Sequence, residues 1–256
     1  MSRNPVNYST AVSVCLASYN GEKFILDQVS SILDQLGDAD ELIISDNGSS
    51  DATLSLLAKV TDFRVKIVTC QKKGVVANFE NALLHASNHL LVLSDQDDVW
   101  CPGRLTAARS SLEHHQLSLV GLTFVNENLE PLSRPMGIRP PVLSLSATLL
   151  RNGFTGCCMA FRRELLRGIL PFPAGVAMHD WWIAVVALGV RAPIDISRDE
   201  MILYRRHGAN VSATGDVSGN SLFWQFWTRL NLVSSLIVRL AFWHTSTFFA
   251  NFRLRG

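Results

Sequence analysis

At 256 residues the chain can bury one sizeable core and fits one large domain better than two complete ones. Its 48% hydrophobic and 18% charged residues describe a globular protein more apolar than average, and a formal charge of +1 excludes a whole-protein field that gathers nucleic acid. Five cysteines without C-x-x-C spacing argue against a disulfide framework or a thiolate zinc site, and adjacent Cys157 and Cys158 suit reduced thiols in a cytoplasmic protein.

AVSVCLAS (11–18) is a short apolar run closed by a Tyr-Asn-Gly turn. It lacks the length and cleavage pattern of a secretory signal and reads as a buried first strand. From Phe24 to Leu36, apolar residues at 25, 29, 32, 33 and 36 follow helical spacing. ELIISDNGSSD (41–51) is a second strand running into a polar turn, with Ser50 or Asp51 placed to cap the next helix. Arg64 to Thr69 is a third strand, Asn78 to Ala86 a helix, and HLLVLSD (89–95) a fourth, fully buried strand. This order predicts an α/β fold with a mainly parallel central sheet and helices on both faces. Sheets of that kind bind ligands beyond the carboxyl ends of their strands. Tyr19-Asn20, Asp46-Asn47 and the cluster Asp95-Gln96-Asp97-Asp98 all follow strand ends, so they are expected to converge on one crevice.

The pattern changes after Trp100. A helix is expected over 102–115, a strand over 120–126 and a Pro-rich surface loop over 129–141. HDWWIAVVAL (179–188) is a strongly apolar helix, and residues 194–204 are a last strand before RRHGANVS. The segment from about Ser221 is dense in Trp and Phe and carries only basic charges, Arg229, Arg239, Arg253 and Arg255. No run of 18 uncharged apolar residues predicts a transmembrane helix. Aromatic and arginine side chains favour the headgroup boundary, so this tail is expected to lie on the inner face of a membrane; a helical pair completing the core or a dimer interface is the other reading.

Three constellations carry chemistry. Asp95, Asp97 and Asp98 repel one another unless a divalent cation joins them, and hard oxygen ligands favour Mg²⁺ or Mn²⁺; an acidic turn capping the next helix, through Asp98, is the plainer alternative. Asp180 is either a helix cap or a carboxylate placed to take a proton from an acceptor hydroxyl. Arg205, Arg206 and His207 suit a diphosphate, or form a solvated basic turn.

SVCLASYNGEKFI, IISDNGSSD, GVVANFENAL, VLSDQDDVW, GCCMAFRREL, HDWW and LYRRHGANVS stand in an order that resembles the bacterial family 2 glycosyltransferases of the GT-A fold, in particular their rhamnosyltransferase-like branch. The resemblance covers residues 12–212. It implies a catalytic domain over 1–215, with a nucleotide half at about 1–100 and an acceptor half at about 101–215, and a separate C-terminal helical segment over 216–256. It also implies roles. Ala17 and Tyr19 meet base and ribose, with Tyr19 stacking. Asp46 and Asn47 occupy the usual paired-aspartate turn, where Asn47 replaces the second aspartate. Asp97 holds the metal, with Asp95 near ribose or metal water. Asp180 is the base. Arg205 and His207 close over the diphosphate, while Arg206 departs from the glutamine common there. The implied reaction is an inverting transfer from a nucleotide sugar, deoxythymidine-diphosphate-rhamnose by branch resemblance or otherwise a UDP-hexose, to a saccharide or lipid-linked acceptor of cell-surface polysaccharide synthesis. A catalytically silent binding subunit is disfavoured by the intact carboxylates, and a nucleotidyltransferase by the lack of a Gly-rich basic phosphate loop at Ser18-Tyr19-Asn20-Gly21.

Overall fold

The computed structural model describes residues 10–132, 140–208 and, in its last helix, 222–253. The Pro-rich loop expected over 129–141 and the end of LYRRHGANVS fall largely outside them. The first half alternates β1 (Val12–Ser18), α1 (Ile25–Leu33), β2 (Glu41–Asp46), α2 (Thr53–Leu57), β3 (Val65–Thr69), α3 (Val75–His85) and β4 (Leu90–Asp95). The second continues with β5 (Val99–Trp100), α4 (Arg104–Leu112), β6 (Leu117–Val125), α5 (Leu145–Leu150), β7 (Met159–Arg162), α6 (Leu166–Ile169), α7 (His179–Gly189), β8 (Ile194–Arg205) and α8 (Leu222–Arg253).

All eight strands join one sheet in the order β3-β2-β1-β4-β7-β6-β8-β5. β1 to β4 are mutually parallel, as are β6 and β8; β7 runs against β4 and β6, and β5 against β8. Side chains alternate across β1. Val12, Val14 and Leu16 pack with Ile25, Val29, Ile32, Leu105 and Leu112 of α1 and α4. Cys15 and Ala17 face the other layer, where Phe79 of α3 and Trp182 of α7 lie. A parallel strand covered on both faces needs an unbroken apolar run, and β1 is buried from end to end.

α7 is apolar on every side because every side is covered: Trp182 through Ala187 are all buried. α8 lies against α5, α6 and α7. Leu232 and Leu236 are buried in that contact, and a side chain at Gly189 would collide with Leu236. On its outer side Phe226, Leu230, Val233 and Ile237 recur at helical spacing and are exposed, flanked by Trp227, Val238 and Phe242. Two of the arginines expected to face lipid point elsewhere. Arg229 donates to the Leu150 carbonyl at 3.0 Å, and Arg239 donates to the Pro171 carbonyl. Among the described residues no helix is long and apolar enough to cross a membrane.

Candidate active site

The register of the sheet sets the ends of β1, β2 and β4 level. Ser18 stands opposite Asp46, and Ala17 opposite Asp95. The expected convergence of these strand ends is therefore a direct result of three adjacent parallel strands. Beyond β1 the chain turns sharply at Asn20, which has φ 48, and at Gly21, where a Cβ would sit on the Gln96 side-chain amide. Gln96 fixes the turn from the neighbouring strand: its Oε1 accepts the Tyr19 N–H at 2.8 Å, and its Nε2 donates to the Tyr19 carbonyl at 2.9 Å. With its backbone clamped, the Tyr19 ring projects into solvent, 52% exposed, and Lys73 Nζ lies 5.9 Å from its centre. An aromatic face held this way is a platform for a flat ligand.

Asp46 and Asn47 are buried and spend their polar atoms on the protein. Asp46 accepts the Ser18 hydroxyl (3.0 Å), the Ser49 hydroxyl (2.5 Å) and the Gly48 and Ser49 N–H groups (3.0 and 2.9 Å). Four bonds fill a carboxylate's usual capacity. Asn47 donates to the Cys70 and Lys72 carbonyls (3.3 and 2.7 Å) and accepts the Gly74 N–H (2.8 Å). An aspartate here could accept the last bond but make neither of the donations. The asparagine is thus suited to pinning the 70–74 loop beside Tyr19.

The acidic cluster is divided by burial. Asp95 is half-buried, and burial, followed by the charges of Asp97 and Asp180, pushes its carboxyl up to about 8. Asp97 meets His207, Oδ2 to Nε2, at 2.8 Å. Asp98 does not cap the next helix: it is buried, its Oδ1 accepts the Arg205 N–H at 3.2 Å, and its Oδ2 has no hydrogen-bond partner. Burial, again with its neighbours' charges, raises this carboxyl strongly. Asp95, Asp98 and the thiol of Cys157 offer ligand atoms within 4.8 Å of one another. A divalent cation fits these carboxylates, since it relieves both their repulsion and the unpartnered Asp98 oxygen.

Asp180 lies inside the first turn of α7, with Met178 at the cap position, so it is not the helix cap. Its Oδ1 accepts the Asn152 side-chain amide (3.0 Å) and the Trp181 N–H (2.6 Å). Burial outweighs those bonds and raises its carboxyl to about 6. That value suits a group that must exchange a proton near neutrality. His179 beside it is buried, stacks on Phe79 with ring centres 3.9 Å apart, and has no hydrogen-bond partner at either nitrogen. Burial lowers it to about 3, so it packs as a neutral ring.

The basic segment is not a solvated turn. Arg205 ends β8 and is buried; its guanidinium lies 4.3 Å from the Phe24 ring centre and meets Asp27 at 3.1 Å. The His207 ring lies 4.9 Å from Phe24. Arg206 anchors the chain by its backbone, its N–H donating to the Val125 carbonyl at 2.8 Å. The structure therefore brings Asp95, Asp97, Arg205 and His207 together, with Asp180 near enough to Asp95 to act on its charge, while Ala17, Tyr19, Asp46 and Asn47 form the adjoining strand ends. Sequence reasoning missed Phe24 and Asp27, which lie against Arg205, with Phe24 also beside His207; Asn152, which orients Asp180; and Cys157. Gln96 alone had a visible signal, its place within SDQDD.

The family model described as Glycosyl transferase family 2 matches residues 13–170. The Escherichia coli protein WfgD, a UDP-Glc:alpha-D-GlcNAc-diphosphoundecaprenol beta-1,3-glucosyltransferase, is 29% identical over 68% of this chain and 69% of its own. Among solved structures, residues 1–349 of S. aureus TarS with UDP-GlcNAc superpose with a TM-score of 0.64 at 19% identity, over 81% of this chain and 62% of TarS 1–349. The chain thus spans less than two thirds of that TarS chain. A mannosyltransferase from Pyrobaculum calidifontis, with GDP-Man and Mn²⁺, superposes with a TM-score of 0.58 at 17% identity, over 93% of this chain and 80% of that one. The shared architecture is the GT-A fold.

Proposed function

The chain belongs to glycosyl transferase family 2, and from that premise we propose that it moves a sugar from a nucleoside-diphosphate donor to a hydroxyl of a saccharide or lipid-linked acceptor by a single inverting displacement. One observation carries the reading: the buried Asp180 carboxyl, raised to about 6, lies near enough to Asp95 for its charge to raise that carboxyl, and Asp97 of the same turn meets His207 at 2.8 Å. Asp180 takes the acceptor's proton, the hydroxyl oxygen bonds to the anomeric carbon, and the bond to the diphosphate oxygen breaks. Arg205 and His207 stabilise the departing diphosphate. Mg²⁺ or Mn²⁺, when bound, supplies further charge neutralisation there, with Asp97 as its ligand and Asp95 close to ribose or metal water. Tyr19 stacks on the base and Ala17 lines its edge, while Asp46 and Asn47 hold the walls of that pocket. Residues 1–215 form the catalytic unit, nucleotide half at about 1–100 and acceptor half at about 101–215, with 216–256 as an appended segment.

A UDP-hexose is the first donor to test, because the E. coli relative is a UDP-glucose transferase acting on a lipid diphosphate. Its beta linkage is the configuration that a single displacement gives from an α-glucosyl nucleotide. Deoxythymidine-diphosphate-rhamnose is the second reading, carried by the resemblance of SDQDDVW and LYRRHGANVS to the rhamnosyltransferase-like branch. Release of nucleoside diphosphate across a panel of donors with Mg²⁺ or Mn²⁺ decides between them; no turnover with any donor and acceptor pair would overturn the assignment.

For a lipid-linked acceptor, docking on the cytoplasmic face of a membrane brings the crevice to its substrate. The supporting observation is the exposed face of Phe226, Trp227, Leu230, Ile237 and Val238 on α8. With Arg229 and Arg239 turned to carbonyls of the protein, apolar burial contributes more than charge does. The double substitution Trp227→Glu and Ile237→Glu should abolish co-flotation with liposomes while leaving the protein folded, and co-flotation should fall only modestly as salt rises. Undiminished flotation of the double variant would remove the docking assignment.

A further inference from the structure

We propose that Arg229 of α8 is a positioning residue for Asp180, acting through the end of α5. Its guanidinium bridges the two helices. Nη1 donates to the Gln225 carbonyl, one turn back on α8, at 2.9 Å, and Nε donates across to the Leu150 carbonyl at 3.0 Å. Leu150 closes α5, where the last carbonyls have no partner within the helix and an arginine side chain can supply one. Just beyond it, Asn152 donates its amide to Asp180 Oδ1 at 3.0 Å. The Asn152 Oδ1 accepts the Phe154 N–H at 3.0 Å, which leaves the amide turned toward Asp180.

A second bond ties the same turn to the helix that carries the base. The indole N–H of Trp181, next to Asp180, donates to the Thr148 carbonyl of α5 at 2.6 Å. The end of α5 is thus joined to α7 on one side, through Asn152 and Trp181, and to α8 on the other, through Arg229. Apolar burial does little to fix it. Thr148 is the buried residue of α5, Leu145 and Leu149 are only partly buried, and Leu150 is exposed. A short helix held so lightly depends on the polar bonds at its end.

α8 makes two other bonds of this kind, and they mark Arg229 out. Asn231 donates to the Ala174 carbonyl at 2.8 Å, and Arg239 donates to the Pro171 carbonyl. Both hold the segment before α7, but neither carbonyl adjoins a side chain that touches Asp180. A base has to sit within hydrogen-bond reach of the acceptor hydroxyl, so a loosened Asn152 costs turnover. The donor's pocket, at the ends of β1, β2 and β4, lies on other elements and should be untouched. The inference rests on the reading of Asp180 as the base.

The experiment compares variants of the full chain by kcat and donor KM, with saturating acceptor and at a pH where Asp180 is ionised. Arg229→Met keeps an apolar stem and loses every side-chain donor; its kcat should fall about three- to tenfold with donor KM unchanged. Arg229→Lys, which restores a donor, should recover most of the loss. Asn152→Ala should lower kcat at least as much, and adding Arg229→Met to it should cost nothing further, because the two act in one chain. Arg239→Met cuts a comparable tie of α8 and should leave kcat nearly unchanged, even where it lowers the melting temperature as far. Unchanged kcat in Arg229→Met, an equal loss in Arg239→Met, or losses that multiply in the double variant overturns the proposal. Asp180→Asn separates the two readings. Near-normal turnover there removes the base and this role with it, whereas a crippled Asp180→Asn beside a normal Arg229→Met removes the role of Arg229 alone. If melting curves show Arg229→Met to be unfolded, Arg229→Gln is judged by the same criteria.

Discussion

Asp180→Asn is expected to lower turnover by about 10²–10⁴ while donor affinity changes little. The amide keeps an oxygen for the Asn152 and Trp181 donors, so the α7 terminus stays in place and the loss is that of the proton acceptor. Burial raises the carboxyl from its ordinary value to about 6, which means that the protonated, inactive form dominates below that pH. Turnover should therefore rise with pH through about 6 and then level, losing roughly tenfold per unit on the acid side. Asn152→Ala removes a bond that favours the charged form, so its acid limb should move to higher pH with donor affinity intact. The product should carry the anomeric configuration opposite to the donor's, read by NMR. A retained configuration, or an Asp180→Asn enzyme with near-normal turnover, would rule out single displacement with this base.

Much of this arrangement is legible in residue order. The apolar runs at 12–18, 41–46 and 90–95 are long enough to be strands and too short for helices, and each ends in a polar residue, Ser18, Asp46 or Asp95. Parallel pairing turns that one-dimensional rule into a site, because neighbouring strand ends face the same way. The illegible parts arise where distant segments meet. Nothing in the spacing of Phe24 and Asp27 reveals that Arg205, some 180 positions later, lies over one and pairs with the other. Asp98 sits in an acidic run beside a helix and looks like a cap, but Gly103 holds the cap position of α4 and Asp98 is drawn inward by the Arg205 N–H. The arginines of α8 illustrate the same limit: their sign is visible in the sequence, whereas the Leu150 and Pro171 carbonyls that take up two of them come from tertiary packing. Asn47 is a milder case. As a departure from the paired-aspartate pattern it reads as a lost charge, and only the 70–74 loop explains the gain.

Asp97→Asn is expected to lower turnover by about 10²–10³ and to weaken cation-dependent binding of the nucleotide, with the fold intact. One Asp97 oxygen is engaged by His207, an arrangement in which a ring N–H orients a carboxylate for its ion. The amide removes the negative charge that the cation requires, yet it preserves volume in a part-buried position. The loss should accordingly appear in nucleotide binding measured with Mn²⁺ and disappear when the same titration is run in chelator, where wild type and variant should converge. His207→Gln keeps a donor for Asp97 and leaves the carboxylate in place, so it should weaken nucleotide binding less than Asp97→Asn does. Full activity of the wild type in excess chelator would sink the assignment of Asp97 to a cation. Equal loss with and without cation would instead assign Asp97 to a direct contact with the donor.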